Sequence, residues 1–341
     1  MFSLVTGANG FIGSHLARFL VQQGDRVRVL VRPKSDIRAL EGLPVEFVYA
    51  DLRDALTLPP ALREIERVFH VAADYRLWAK NPQEIYESNV TGTRNLLAAA
   101  RDAGVDRFIY TSSVGTLIPA HPGALADERT CLQLNDMIGH YKRSKYLAEQ
   151  EALKAARSGQ AVVVVNPTTP VGPGDWKPTP TGRIILDFLN GQMPAYVDTG
   201  LNFVAVEDVA EGHWLAAQRG QSGERYILGD RNLTLKQFLA ILAGLSGRPM
   251  PRLRLPHAVP FLASLVDSVA ARVLQRPPRI PLEGVRLARH KMFADSSKAT
   301  RELGFQPGTL EAALERAIRW YNDHGYLKKP LPNLAARQCA A

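Results

Sequence analysis

Cysteine is nearly absent: the 341 residues contain only Cys131 and Cys339. A disulfide framework is therefore excluded as a main source of stability, and a reducing compartment, the cytoplasm, is the expected setting. Long apolar runs are missing too. No stretch approaches the roughly 20 apolar residues a helix needs to cross a bilayer, so no spanning segment is expected. The first apolar run begins at Phe2 without a basic leader or a small-residue cleavage site, and no cleaved signal is expected. Histidines are scattered: His121, His140, His213 and His257 lack His or Cys neighbours at ligand spacing, which argues against a metal site, and His70, in an apolar run, reads as a packing residue. Internal repeats and low-complexity tracts are also lacking, which excludes solenoids.

Acid is scarcer than base. The 42 Lys and Arg outnumber 33 Asp and Glu, for a formal charge of +9, an excess that suits nucleic acid, an anionic membrane surface, or an anionic cofactor or substrate. Much of it lies between Arg272 and Lys291 (Arg272, Arg276, Arg279, Arg286, Arg289, Lys291), without the aromatic interleaving of a nucleic-acid binder. No nucleic-acid partner is expected. A solvated basic face and peripheral contact with an anionic membrane both stay open.

What the sequence does contain is alternation. A hydrophobic share of 46% supports a sizeable core. Phe2 to Val5, Arg26 to Val31, Val45 to Tyr49, Arg67 to Val71, Arg107 to Tyr110 and Val162 to Asn166 read as strands. Between them, Phe11 to Gln22, Pro82 to Ala103 and Ile138 to Ala156 read as helices. Such alternation implies right-handed crossovers and a doubly wound parallel α/β sheet. The Pro-rich segment Asn166 to Gly182 ends it, giving a first domain over 1–170, a smaller substrate lobe over 171–330 and a tail over 331–341. The lobe contains helical patterns at Arg183 to Leu189, Leu235 to Gly244 and Phe261 to Leu274 and a strand at Arg225 to Leu228, while the segment near 202–219 is expected to return to the first domain.

The first strand runs into Thr6-Gly7-Ala8-Asn9-Gly10-Phe11-Ile12-Gly13 and then a helix. That context suits a dinucleotide pyrophosphate: Gly7 for the tight turn, Gly10 for close backbone approach, Gly13 for helix–strand packing, and free N–H groups at a helix start. At the end of the second strand stands Arg32, with Lys34 and Arg38 nearby and no acid at the strand end itself. An Arg there pairs with a 2′-phosphate, so NADP is preferred over NAD. Asp51-Leu52 and Val71-Ala72-Ala73 follow the third and fourth strands and suit adenine-side and nicotinamide-side contacts.

Tyr141 and Lys145 stand four apart on a predicted helix and share one face. Free tyrosine titrates at about 10 and is a poor acid or base near neutrality; a neighbouring ammonium and an oxidised nicotinamide both favour the phenolate. Lys145 can also hold the ribose hydroxyls. Tyr110-Thr111-Ser112-Ser113 ends the fifth strand, the edge where such sheets place ligands, and Ser113 is set to hold the substrate oxygen. In the second lobe and its approaches, Asp74, Tyr75, Arg76, Trp78, Trp176, Lys177 and Arg183 are pocket candidates, with a folded loop bearing solvent-facing charges as the plain alternative.

These tracts, together with Asn166-Pro167, resemble the extended short-chain dehydrogenase/reductase superfamily over nearly the whole chain. The resemblance implies a Rossmann-type domain and a catalytic set of Ser113, Tyr141 and Lys145. It further implies Asn89 as a supporting polar residue, Thr111 at the strand end, and Pro167, Thr168 and Thr169 as nicotinamide-side backbone. Within the superfamily, His70 to Trp78, Met137 to Lys145 and Lys177 to Asn190 look like the hopanoid-associated sugar epimerases, which are similar to dihydroflavonol 4-reductases. The implied activity is hydride transfer on a carbonyl/alcohol carbon of a sugar-like or lipid-linked small molecule, by a homodimer paired through the helices carrying Asn89 and Tyr141. Two alternatives remain at this stage: an epimerase that retains NAD, and a dinucleotide-sensing protein without chemistry.

Overall fold

Short β-branched runs alternate with helices from the first residues, and each strand finds its partner across a crossover. In chain order the first elements are β1 (Phe2–Thr6), α1 (Phe11–Gln22), β2 (Arg26–Val31), β3 (Glu46–Tyr49), β4 (Arg67–His70), α2 (Gln83–Tyr86), α3 (Gly92–Asp102), β5 (Arg107–Thr111), α4 (Gly139–Arg157) and β6 (Val162–Pro167). There follow β7 (Thr169–Val171), α5 (Pro180–Leu189), β8 (Ala195–Val197), β9 (Gly200–Ala205), α6 (Val206–Arg219), β10 (Arg225–Leu228), β11 (Arg231–Thr234) and α7 (Leu235–Ser246). The last described elements are β12 (Leu253–Leu255), α8 (Ala258–Val273), α9 (Leu282–Leu287), β13 (Lys291–Met292), α10 (Ser297–Leu303) and α11 (Leu310–Asp323). This computed structural model describes residues 1–117, 125–274, 276, 278 and 282–331. The side chain of Arg272, and His121, Arg279, Cys339 and the tail from 332, named above, lie outside the described residues.

Seven parallel strands form the main sheet in the order β10-β6-β5-β4-β1-β2-β3. β1 is buried at every position and so is β6, as a parallel strand covered on both faces requires. One core joins the sheet to α1 and α6 through Leu16, Leu20, Val209 and Leu215; the other joins it to α3 and α4 through Leu96, Leu97, Ala148 and Ala152.

The structure corrects the sequence reading at three elements: of the 202–219 segment expected to return to the first domain only α6 does, packing on α1, while β9 stays in the second lobe's sheet. Arg225 to Leu228 belongs to the main sheet, not the second lobe: it pairs with β6 in parallel, Tyr226 opposite Val165. Its alternation could not reveal which sheet it joins. The continuous helix expected from Pro82 to Ala103 is interrupted by a π-helical turn at Glu87–Thr91. That extra residue turns Asn89 inward, where it is buried, and Gly92 lies so close to the 51–52 turn that an added Cβ would stand 3.0 Å from Leu52 Cβ. In the second lobe β9 sits between β11 and β13 and also pairs with β7, while α6, which follows it, packs back onto α1. A third core, with Phe203, Phe238, Leu242, Leu314 and Tyr321, fills this lobe.

Candidate functional site

The glycines of the β1–α1 turn divide by what confines them. Gly7 has φ of +67°, and an added Cβ would lie 2.6 Å from Ala72 Cα in the Val71-Ala72-Ala73 segment that follows β4. At Gly13 a Cβ would come within 2.2 Å of the Gly7 carbonyl oxygen. The protein's own packing demands both. Gly10 has more room, its nearest neighbour being the Gly7 oxygen at 3.2 Å from an added Cβ. It caps α1 without any side-chain hydrogen bond, so the first-turn N–H groups at Phe11, Ile12 and Gly13 are offered to an outside acceptor at the positive end of the helix dipole. This cradle fits a dinucleotide pyrophosphate.

Asn9 ties the cradle to the next loop by donating from Nδ2 to the Asp36 carbonyl at 3.1 Å. Arg32 is exposed just past β2, as are Lys34 and Arg38. Arg38 is already engaged: it pairs with Asp36 at 2.6 Å and stands 4.9 Å over the Trp176 ring. Arg32 has no ion-pair partner among the described residues. Past β3, Asp51 is held by Arg53 at 2.6 Å, and that pairing, with a smaller pull from Arg32, keeps its carboxyl below the usual range.

A chain of hydrogen bonds runs from this loop toward α4. Thr93 Oγ1 donates to the Asn89 carbonyl at 2.6 Å, so its contact with His70 Nε2 at 2.9 Å must be donated by the histidine. His70 Nδ1 then accepts from Thr6 Oγ1 at 2.7 Å, and Thr6 Oγ1 accepts from the Ala72 N–H at 3.2 Å. Burial, helped by the Lys145 charge, lowers the His70 pKa to about 3, which keeps the ring neutral. Asn89 continues the chain, donating from Nδ2 to the Asp74 carbonyl at 2.9 Å and to Ser144 Oγ at 2.8 Å. Its Oδ1 accepts from the Asp74 N–H at 2.7 Å, and Ser144 Oγ donates to the Tyr141 carbonyl. Asn89 thus braces α4 and the 74–78 loop together.

Ser113 lies two residues past β5 and starts a short 3-10 turn, its Oγ accepting from the Gly115 N–H at 3.1 Å. Tyr141 and Lys145 lie in the first two turns of α4. Burial pushes the Tyr141 phenol above its ordinary value, opposed by a hydrogen bond with the Ser113 side chain. The Lys145 ammonium is buried, donates to the Thr111 carbonyl at 2.6 Å and lies 4.6 Å from the Tyr110 ring centre. Burial lowers its pKa to about 7, against a smaller pull from Glu149. Thr111 is itself held from behind: its Oγ1 donates to His213 Nε2 at 2.8 Å, since His213 Nδ1 is spent on the Val209 carbonyl at 2.7 Å.

Glu149 is not among the residues that the sequence motifs single out. It sits one further turn along the Tyr141–Lys145 face, and extending that four-residue spacing would have found it. Its buried carboxylate accepts from Ser112 Oγ, from Thr116 Oγ1 at 2.8 Å and from Asn166 Nδ2 at 3.0 Å, and meets Arg225 at 3.5 Å. Asn166 also donates to the Ser113 carbonyl at 3.1 Å. One carboxylate therefore fixes the end of β5, the end of β6 and α4 relative to one another. Beyond β6, Pro167 is the last strand residue, Thr168 donates from its N–H to the Leu228 carbonyl at 3.0 Å, and Thr169 opens β7.

On the substrate side, Tyr75 and Trp78 are exposed on the loop that Asn89 braces, and Arg76 is tied to Asp74 and Glu84. Arg183, exposed at the start of α5, acts electrostatically on Tyr75 and Asp175. Trp176 goes elsewhere: it packs edge-on against Trp320 and His324, each with ring centres 5.0 Å away, beneath Arg38. It joins α11 to the loop after β2 and not to Tyr75 and Trp78. No group of three metal-ligating side chains occurs among the described residues.

The sequence pattern of the NAD dependent epimerase/dehydratase family matches residues 3–229. A Synechocystis protein provisionally named dihydroflavonol 4-reductase is 47% identical over 328 residues, 95% of each chain. Sterol demethylase protein B of Methylococcus capsulatus is 38% identical over 329 residues, 96% of this chain and 100% of that protein. Among solved structures, a nucleoside-diphosphate-sugar epimerase from Pseudomonas aeruginosa superposes with a TM-score of 0.79 at 30% identity, covering 96% of this chain and 99% of the other. The chain is an NAD(P)-dependent enzyme and belongs to the NAD-dependent epimerase/dehydratase family of extended short-chain dehydrogenase/reductases.

Proposed function

We propose that this enzyme is an NADP(H)-preferring reductase or dehydrogenase of the cytoplasm, acting on the carbonyl/alcohol pair of a ring-bearing, largely apolar small molecule such as a polycyclic lipid precursor. The observation that carries the reading is the convergence of Ser113, Tyr141 and Lys145 on the carboxyl edge of the main sheet, beside a glycine cradle fitted to a pyrophosphate. When bound, the nicotinamide supplies or accepts the hydride. Tyr141 gives the proton to the carbonyl oxygen as an alcohol forms and takes it back in the reverse direction. Burial keeps its phenol protonated and ready to donate. A positive charge brought beside it, from Lys145 or an oxidised nicotinamide, draws the pKa down for the reverse step. The Ser113 hydroxyl holds the same substrate oxygen. Lys145, whose pKa burial lowers to about 7, donates to the ribose hydroxyls, and Asn89 and Glu149 position this set without touching substrate.

Arg32, exposed past β2, meets the 2′-phosphate. The apolar substrate class rests on the exposed Tyr75 and Trp78 beside the site and on a 38%-identical relative whose name refers to a sterol. An exposed free thiol, Cys131, suits a reducing compartment. The test is NADPH oxidation against a panel of ring ketones, with Tyr141→Phe beside the parent. Turnover of the variant should fall by about 10²- to 10⁴-fold while NADPH affinity stays within about twofold. Undiminished turnover would contradict the assignment of Tyr141.

A further inference from the structure

We propose that α8 is a membrane-docking surface, seating the enzyme on anionic bilayers through an exposed apolar stripe framed by basic side chains. Val259, Leu262, Val266 and Val269 follow one another at steps of three and four and so share one face, and they are 47%, 61%, 72% and 66% exposed. Leu265 and Leu274 widen the patch. The inner face carries a polar residue instead: Ser264 is fully buried, its Oγ donating to the Phe261 carbonyl at 2.8 Å. A helix on a water-facing surface shows the opposite arrangement. At 16 residues α8 is shorter than the roughly 20 needed to cross a bilayer, so it lies on the membrane and does not span it.

Charge identifies the occupant. Between Arg252 and Lys291 the sequence holds eight Lys or Arg against only Asp267 and Glu283. Both acids are engaged within the protein: Asp267 pairs with Arg276 at 2.6 Å, and Glu283 accepts from the His140 N–H at 3.2 Å. Arg286 and Arg289 are exposed, and Arg289 stands 5.0 Å over the ring of Phe261 on α8. Immediately before α8, exposed Arg252 and Arg254 flank exposed Leu253 of β12, with Arg254 pairing with Asp198 at 2.9 Å. Apolar side chains ringed by cations match acyl chains beneath anionic headgroups. A second copy of the same face would bring like charges together. α9 packs on α8, and its Glu283 accepts from the N–H of His140, one residue before Tyr141, so the α8–α9 pair adjoins the candidate site. The docking claim does not depend on the substrate reading.

The test is sedimentation of the full-length protein with vesicles of phosphatidylcholine alone and of phosphatidylcholine mixed equally with phosphatidylglycerol. The protein should bind the mixed vesicles, and added salt should weaken that binding. Leu262→Glu with Val266→Glu should lower partition about tenfold or more at an unchanged melting temperature. Arg286→Glu with Arg289→Glu should remove the preference for phosphatidylglycerol, and it provides an independent reading if the first pair fails to fold. The proposal is overturned if the parent binds neither vesicle, if both pairs bind like the parent, or if the apolar-face pair converts a dimer to monomers while partition is unchanged.

Discussion

The carboxyl edge of the main sheet and helix α8 break the usual rule of burial in opposite directions. At the edge, Lys145, Glu149, Asn89, His70 and His213 are all buried. Along α8, four aliphatic side chains in one stripe face outward. Neither arrangement maximises stability, since burying ionisable groups is costly and exposing aliphatic ones forgoes hydrophobic gain. The difference lies in how each is sustained. The edge offsets its cost by hydrogen bonding almost every buried group to another within the fold, whereas the exposed stripe of α8 is covered by nothing among the described residues. Polar groups held inside a protein serve chemistry there; apolar groups held outside serve contact.

Glu149 carries the largest expected effect on stability. Replacing it by Leu strands the Ser112, Thr116, Asn166 and Arg225 groups that converge on it, and should cost about 3–5 kcal/mol in urea unfolding. Glu149→Gln, which keeps an acceptor, should cost less. A loss under about 1 kcal/mol for Glu149→Leu would mean that the carboxylate does not organise the edge.

A smaller effect is expected with pH. Burial lowers the His213 pKa to about 4, below the ordinary 6.5. The unfolded chain therefore takes up the proton first, and stability falls as pH drops from about 6.5 toward 4, by up to about 1.4 kcal/mol per pH unit from this residue. His70, at about 3, extends the loss further into acid. His213→Gln should flatten the dependence over that window in melts at stepped pH, and an unchanged slope would mean that the ring is accessible to protons.

Much of this was legible from the sequence. Strand and helix alternation revealed the doubly wound sheet because parallel strands are continuous apolar runs, and the Thr6 to Gly13 loop was recognisable because close backbone approach leaves no choice but glycine at Gly7 and Gly13. The spacing of Tyr141 and Lys145 placed both on one face of α4. Less legible was whatever depends on contacts between distant segments. The sheet that Arg225 to Leu228 joins is decided by pairing with β6 and not by its own pattern. The π turn at Asn89 depends on packing against the 51–52 turn and on the bonds to Asp74 and Ser144. Trp176 looked like a pocket residue because it lies in a Pro-rich loop, yet its partners Trp320 and His324 are over 140 residues away.

An enzyme that exchanges NADP(H) at each turnover is told from one that keeps its cofactor by the nucleotide it holds. The purified protein is dialysed exhaustively and denatured, any retained nucleotide is identified, and the emptied protein is titrated with NADPH and NADH, with Arg32→Asp alongside. The expected result is an empty protein that binds NADPH more tightly, and a variant whose NADPH affinity alone drops about 10- to 100-fold, the worth of one charge-assisted hydrogen bond. Firmly retained NAD, with equal losses of both nucleotides in Arg32→Asp, would contradict it and would mark the protein as an epimerase that oxidises and re-reduces its substrate without releasing the cofactor.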